Sequence, residues 1–159
     1  VLVFNGADGP VVKLTDLGYS ATSVDDTFLP KTWPWVAPEW NKRRFDIPRA
    51  KMTDIYSFGM LCLWIMFSGG QVKHNPGVDG KSSTLYTPPD EFSDLENIEA
   101  MRDKDQLPAL AESLINNSEG LDQERREILI QFFEKTVRTD PKHRELSVTK
   151  LLKLLDSQL

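Results

Sequence analysis

"TDIYSFGMLCLWIMF", residues 53–67, is almost wholly apolar, with polar side chains only at Thr53, Asp54, Tyr56 and Ser57. No face of a helix built on it is reserved for solvent, and a helix of that kind is enclosed by protein on every side. Thr53 or Asp54 can cap its start, because either side chain can accept from a backbone N–H of the first turn. The run is shorter than the roughly 20 residues a bilayer requires. It therefore predicts a buried central helix over 53–67, with Cys62 as a core thiol.

Upstream, "VLVF" at 1–4 and "VVKLT" at 11–15 flank the turn residues "NGADGP", the pattern of a β-hairpin over 1–15. Val12 and Leu14 alternate with Lys13 and Thr15, which predicts a half-buried second strand. Residues 18–35 have no regular periodicity and read as a long surface loop. Downstream, residues 68–93 are rich in Gly, Ser and Pro and read as irregular. Helical patterns return at 94–116, 121–138 and 147–155, with Ser147 as an N-cap and Asp140-Pro141 breaking the chain before it. The fold class expected is mainly α with a small β-hairpin.

The chain of 159 residues is 40% hydrophobic and 27% charged, which suits one globular domain or a large piece of one. Its net charge of −5 argues against electrostatic binding to nucleic acid or an acidic membrane. A single cysteine makes no internal disulfide and suits a reducing, intracellular compartment such as the cytoplasm. The opening "VLVF", an apolar strand with no methionine before it, suggests a chain cut inside a larger fold.

Four short motifs follow one another. Asp16-Leu17-Gly18 ends the second strand, "WPWVAPEW" occupies 33–40, "DIYSFG" 54–59 and "RTDPKHR" 138–144. Each has a plain explanation alone: Asp and Gly suit tight turns, Pro before an acid opens helices, and an acid caps them. In this order and at these distances they resemble the C-terminal lobe of a eukaryotic protein kinase domain, over nearly the whole chain.

The resemblance implies an activation segment over 16–39, closed by Ala37, Pro38 and Glu39. It places Asp16 as a magnesium ligand, Leu17 as an apolar plug where the family has phenylalanine, and Gly18 as the pivot between them. Leu2 aligns with the floor of the adenine pocket, and Leu61 and Ile65 with buried supports beneath it. Thr32 aligns with the threonine that contacts the catalytic apparatus, although Lys31 precedes it in place of glycine. Asp54 and Gly59 open the central helix, and Arg144 belongs to the last motif. Trp35 and "DIYSFG" are similar to the tyrosine-kinase-like branch, whereas Val137 and Glu145 depart from it. Ser20, Thr22, Ser23 and Thr27 are candidate phosphosites in the loop.

By this resemblance the cofactors are ATP and Mg2+, and the partners a protein substrate and the N-terminal lobe of a parent domain. The glycine-rich loop, the strand lysine with its helix glutamate, and the catalytic loop are missing from the chain, so it is expected to be inactive alone. The alternative is a non-catalytic, kinase-like interaction module. Two structural expectations follow: a buried Glu39–Arg144 ion pair, and an Asp54 carboxylate with acceptor capacity unused or open to water. Other signals lead nowhere. "NPGVDGKS" at 75–82 lacks the first glycine of a phosphate loop, His74 and His143 have no cysteine companions, and the sequon at Asn116 matters only on a secreted protein.

Overall fold

The computed structural model describes residues 2–7, 9–15, 32–40, 47–67, 71–75, 83–87 and 95–156. Its elements are β1 (Leu2–Gly6), β2 (Gly9–Lys13), α1 (Ile47–Phe67), β3 (Gln71–Asn75), β4 (Ser83–Thr87), α2 (Leu95–Asp103), α3 (Leu107–Asn117), α4 (Gln123–Glu134) and α5 (Val148–Asp156). A 3₁₀ turn, Pro141–His143, lies between the last two helices. Helix dominates, with two antiparallel β-hairpins.

The first hairpin pairs Val3 with Val12 and Phe4 with Val11 around a turn in which Gly9 has φ 121°, a conformation that favours glycine. Its second strand is not half-buried as the alternation predicts. Val12 and Leu14 are both well exposed, as are Val3, Phe4 and Val11. Alternation sets which face a side chain takes, but burial requires something packed on that face.

The central helix starts six residues earlier than the sequence suggests, at Ile47. Pro48 does not stop it, because a first-turn proline lacks only an N–H that has no helical acceptor. Thr53 and Asp54 are therefore interior, not capping. The Thr53 hydroxyl donates to the Ala50 carbonyl at 2.7 Å, within the helix. Nor is the helix enclosed on every side. Tyr56, Met60 and Leu63 face the core with no exposure, whereas Ile65 is 62% exposed.

The core is a helical layer. α3 packs on α4 and α4 on α5, while α1 crosses α4 and the 3₁₀ turn. Phe132 and Phe133 of α4 fill its centre, with Phe58 and Phe67 of α1 against their rings. Close approach is possible because Gly59 has no side chain. A Cβ there would lie 2.5 Å from Thr136 Oγ1 and 2.8 Å from Val137 Cγ1.

Two further differences concern the late segments. The irregular stretch 68–93 contains the β3–β4 hairpin, with Val72 paired to Tyr86 and His74 to Thr84. The helical pattern over 94–116 is two helices, separated where Asp105 adopts φ 55°. Pro108 belongs to the first turn of the second of them. The expected cap at Ser147 is present, its hydroxyl accepting from the Lys150 N–H at 3.3 Å.

Candidate functional site around residues 32–40

Residues 32–40 form two successive turns. The Trp35 N–H donates to the Thr32 carbonyl and the Trp40 N–H to the Ala37 carbonyl, each at 3.0 Å. The segment is seated on α1. Ser57 Oγ donates to the Trp35 carbonyl at 2.8 Å, and the Trp35 ring meets Trp64 edge-on with centroids 5.7 Å apart. Val36 and Ala37 are buried beneath it.

Its C-terminal end is fixed by Arg144, 105 residues away. Arg144 Nη1 donates to Glu39 Oε1 at 2.6 Å and Nη2 to Glu39 Oε2 at 2.9 Å, a bidentate fork. The remaining donors reach the carbonyls of Arg138 (2.7 Å), Met52 (3.0 Å) and Thr139 (3.0 Å). All five guanidinium N–H groups thus have acceptors, which lets the side chain be fully buried. Its flat face covers the Tyr56 ring, 4.8 Å from the centroid. Burial pushes the Tyr56 hydroxyl pKa well up, so it stays neutral beside this cation. The 3₁₀ turn aims Arg144. Asp140 caps that turn by accepting from the Lys142 N–H, and Glu145 N–H then bonds the Lys135 carbonyl. The ion pair expected from the sequence is present in this form.

A pocket of about 270 Å³ lies between the segment and α1, lined by Thr32, Trp35, Val36, Ala37, Trp40, Thr53, Asp54 and Ser57. Thr32 is exposed at its rim. The Asp54 carboxylate has no hydrogen bond or ion pair from the described residues, and partial burial raises its pKa. Its acceptor capacity is unused, although it sits on the third turn of α1 and not at the helix start. Positions 54, 58, 61 and 65 make one stripe on α1, about opposite Tyr56 at 100° per residue, although the Phe58 ring reaches round to Phe132 of the core. Asp54 and Ile65 are exposed on it and Leu61 is half-buried, so the two apolar supports are not enclosed.

Asp16, Leu17 and Gly18 lie outside the described residues, as do Ser20, Thr22, Ser23, Thr27 and Lys31. Leu2 is placed in β1 opposite Lys13. Among the described residues no three His, Cys, Asp or Glu side chains converge as a metal site, and no helix is long and apolar enough to cross a membrane. Cys62 is half-buried, with its thiol pKa pushed up to about 11 by desolvation, so it is not a ready nucleophile.

Three contacts escape sequence reasoning: Ser57 on the Trp35 carbonyl, Trp64 on the Trp35 ring, and Arg102 stacked on Trp33 at 4.8 Å. Ser57 and Trp64 read there only as parts of an apolar run, and Arg102 as one charge in "MRDKD". Comparison of the chain with family models, curated proteins and solved structures gave no match.

Proposed function

We propose that the chain is the C-terminal part of an ATP-dependent protein kinase domain that transfers the γ-phosphate of ATP to serine or threonine hydroxyls. The observation that carries this reading is the Glu39–Arg144 fork. The motif order alone led to a buried pair between these two residues, and they meet bidentately across most of the chain. The stripe of Asp54, Leu61 and Ile65 supports it independently. A carboxylate with no partner among the described residues stands in line with the half-buried Leu61 and the exposed Ile65, where the resemblance puts the catalytic loop and the floor of the adenine pocket.

In this reading the chain's residues divide the work. Glu39 and Arg144 anchor the end of the activation segment to the helical layer. Asp54 would receive backbone N–H groups of the catalytic loop, in keeping with a carboxylate that has no partner among the described residues. Leu61 and Ile65 would lie beneath the floor of the adenine pocket, to which the resemblance assigns Leu2. Asp16 would hold a magnesium ion, whose charge would offset that of the phosphates, and Thr32 would stand beside the group that takes the hydroxyl proton. Phosphoryl transfer depends on positioning and electrostatics, and the other groups that supply them lie outside these 159 residues. The chain alone therefore transfers no phosphate.

The test is a radiolabelled ATP assay on the chain and on a version extended through the upstream coding sequence. Transfer by the extended protein only, lost in Asp16→Ala, is the expected result. Transfer by the chain alone that disappears in Asp16→Ala would refute the division of labour. An upstream sequence without a His-Arg-Asp motif would instead favour the non-catalytic, kinase-like module.

A further inference from the structure

The segment 32–40 is held at both ends by arginine. Opposite the Glu39 fork, the Arg102 guanidinium lies over the Trp33 ring, 4.8 Å from its centroid. Arg102 is 8% exposed, and its Nε and Nη2 donate to Asp103 Oδ1 at 2.8 Å and Glu99 Oε1 at 3.3 Å. Those carboxylates are about half exposed, so they orient and neutralise the guanidinium without burying a second charge. Its flat face is left to the indole, a contact that lysine cannot reproduce.

The two arginines also share a neighbour. The Thr139 hydroxyl donates to the Arg102 carbonyl, and the Thr139 carbonyl accepts from Arg144 Nη2. Asp105 fixes Thr139 by accepting its N–H at 2.7 Å and is itself held by Arg138 Nη1 at 3.0 Å. One polar chain therefore runs from Trp33 through Arg102, Thr139 and Arg144 to Glu39.

We propose that Arg102 is a positioning residue for the segment. By stacking on Trp33 it holds the adjacent Thr32 at the pocket rim, and Thr139 ties this hold to the Arg144 clamp. The consequence for phosphate transfer rests on the kinase reading of Thr32; the positioning itself does not.

Amide hydrogen exchange on the chain tests the positioning. In Arg102→Ala, the Trp35 amide, bonded to the Thr32 carbonyl, should exchange about tenfold faster. The Trp40 amide near the Glu39 fork and the Val137 amide at the end of α4 should keep their rates. Arg102→Lys, which retains charge without the planar face, should restore only part of the protection. An unchanged Trp35 rate would overturn the proposal. Equal acceleration at Val137 would overturn it too, since Arg102 would then support the core in general. Should Arg102→Ala not fold, Trp33→Ala removes the same stack from the segment side and carries the same expectations. In the extended protein, Arg102→Ala should raise KM for the protein substrate about tenfold and leave KM for ATP alone. Absence of phosphate transfer there, with the exchange result intact, removes the kinase reading and leaves the positioning role standing.

Discussion

The two faces of α1 are made of similar residues and meet different surroundings. On one face Tyr56, Met60 and Leu63 are buried against α4 and the turn that follows it, and Gly59 lets the backbones close up. On the other, Leu61 is half-buried, Ile65 is 62% exposed, and Asp54 has no partner among the described residues. Hydrophobicity does not separate the faces; what has been packed on them does. A helix apolar all round is suited to two covers, and the described residues supply one. The exposed Val3, Phe4, Val11 and Val12 of the first hairpin belong with the uncovered side in this respect.

Substitutions can break this contrast or sharpen it. The largest effect is expected at Arg144, which joins the covered face to the segment 32–40. Arg144→Ala leaves Glu39 without its cation and takes one donor from each of three carbonyls, at a cost of about 3–5 kcal/mol. Chemical denaturation of the chain would measure it, and a loss below about 1 kcal/mol would mean that the fork is only a surface pair. Next comes a matched pair of truncations. Met60→Ala on the covered face should cost about 2–5 kcal/mol, and Ile65→Ala on the open face no more than about 0.5 kcal/mol. Equal losses would erase the distinction between the faces. Gly59→Ala follows, at about 1–3 kcal/mol, because the new methyl meets Thr136 and Val137. Thr136→Ser in the same chain should recover little, since the Thr136 Cβ itself lies 2.6 Å from the added atom.

The smallest effect carries the opposite sign. Burial raises the Asp54 pKa in the folded chain above the ordinary 3.8, so folding favours the protonated acid. The stability from this group is complete below the unfolded value and is lost as pH rises through the folded one. Asp54→Asn should therefore leave the chain as stable or slightly more stable at neutral pH. The advantage should vanish below pH 3.8, as thermal melts of both proteins across that range would show. The gain is small because the residue is solvent-accessible. A clear loss of stability at neutral pH would mean that Asp54 has a structural partner.

The sequence carried some of these features plainly and hid others for identifiable reasons. The first hairpin was legible from its turn residues, the Ser147 cap from its place before a helical pattern, and the Arg144 fork from motif order. The start of α1 was hidden because Thr53 and Asp54 resemble a cap at the head of the apolar run, although the helix already passes through them from Ile47. The division between α2 and α3 was written in Pro108, but the apolar pattern continues across it. The β3–β4 hairpin was obscured by the Gly, Ser and Pro around its short strands. Exposure on the outer stripe could not be read at all, because an apolar helix shows that cover is needed and not whether it is supplied. The stack of Arg102 on Trp33 joins residues with no periodic or motif relation, so only the folded chain brings it into view.

If α1 belongs to the proposed kinase lobe, its outer face is built to be covered. This is tested most directly by measuring the stability change of Ile65→Ala twice, in the chain and in the protein extended upstream. On the proposed reading the loss should be no more than about 0.5 kcal/mol in the chain and about 2–5 kcal/mol in the extended protein, where the side chain would be enclosed. The same small loss in both would contradict it, and would make the exposed stripe an ordinary surface.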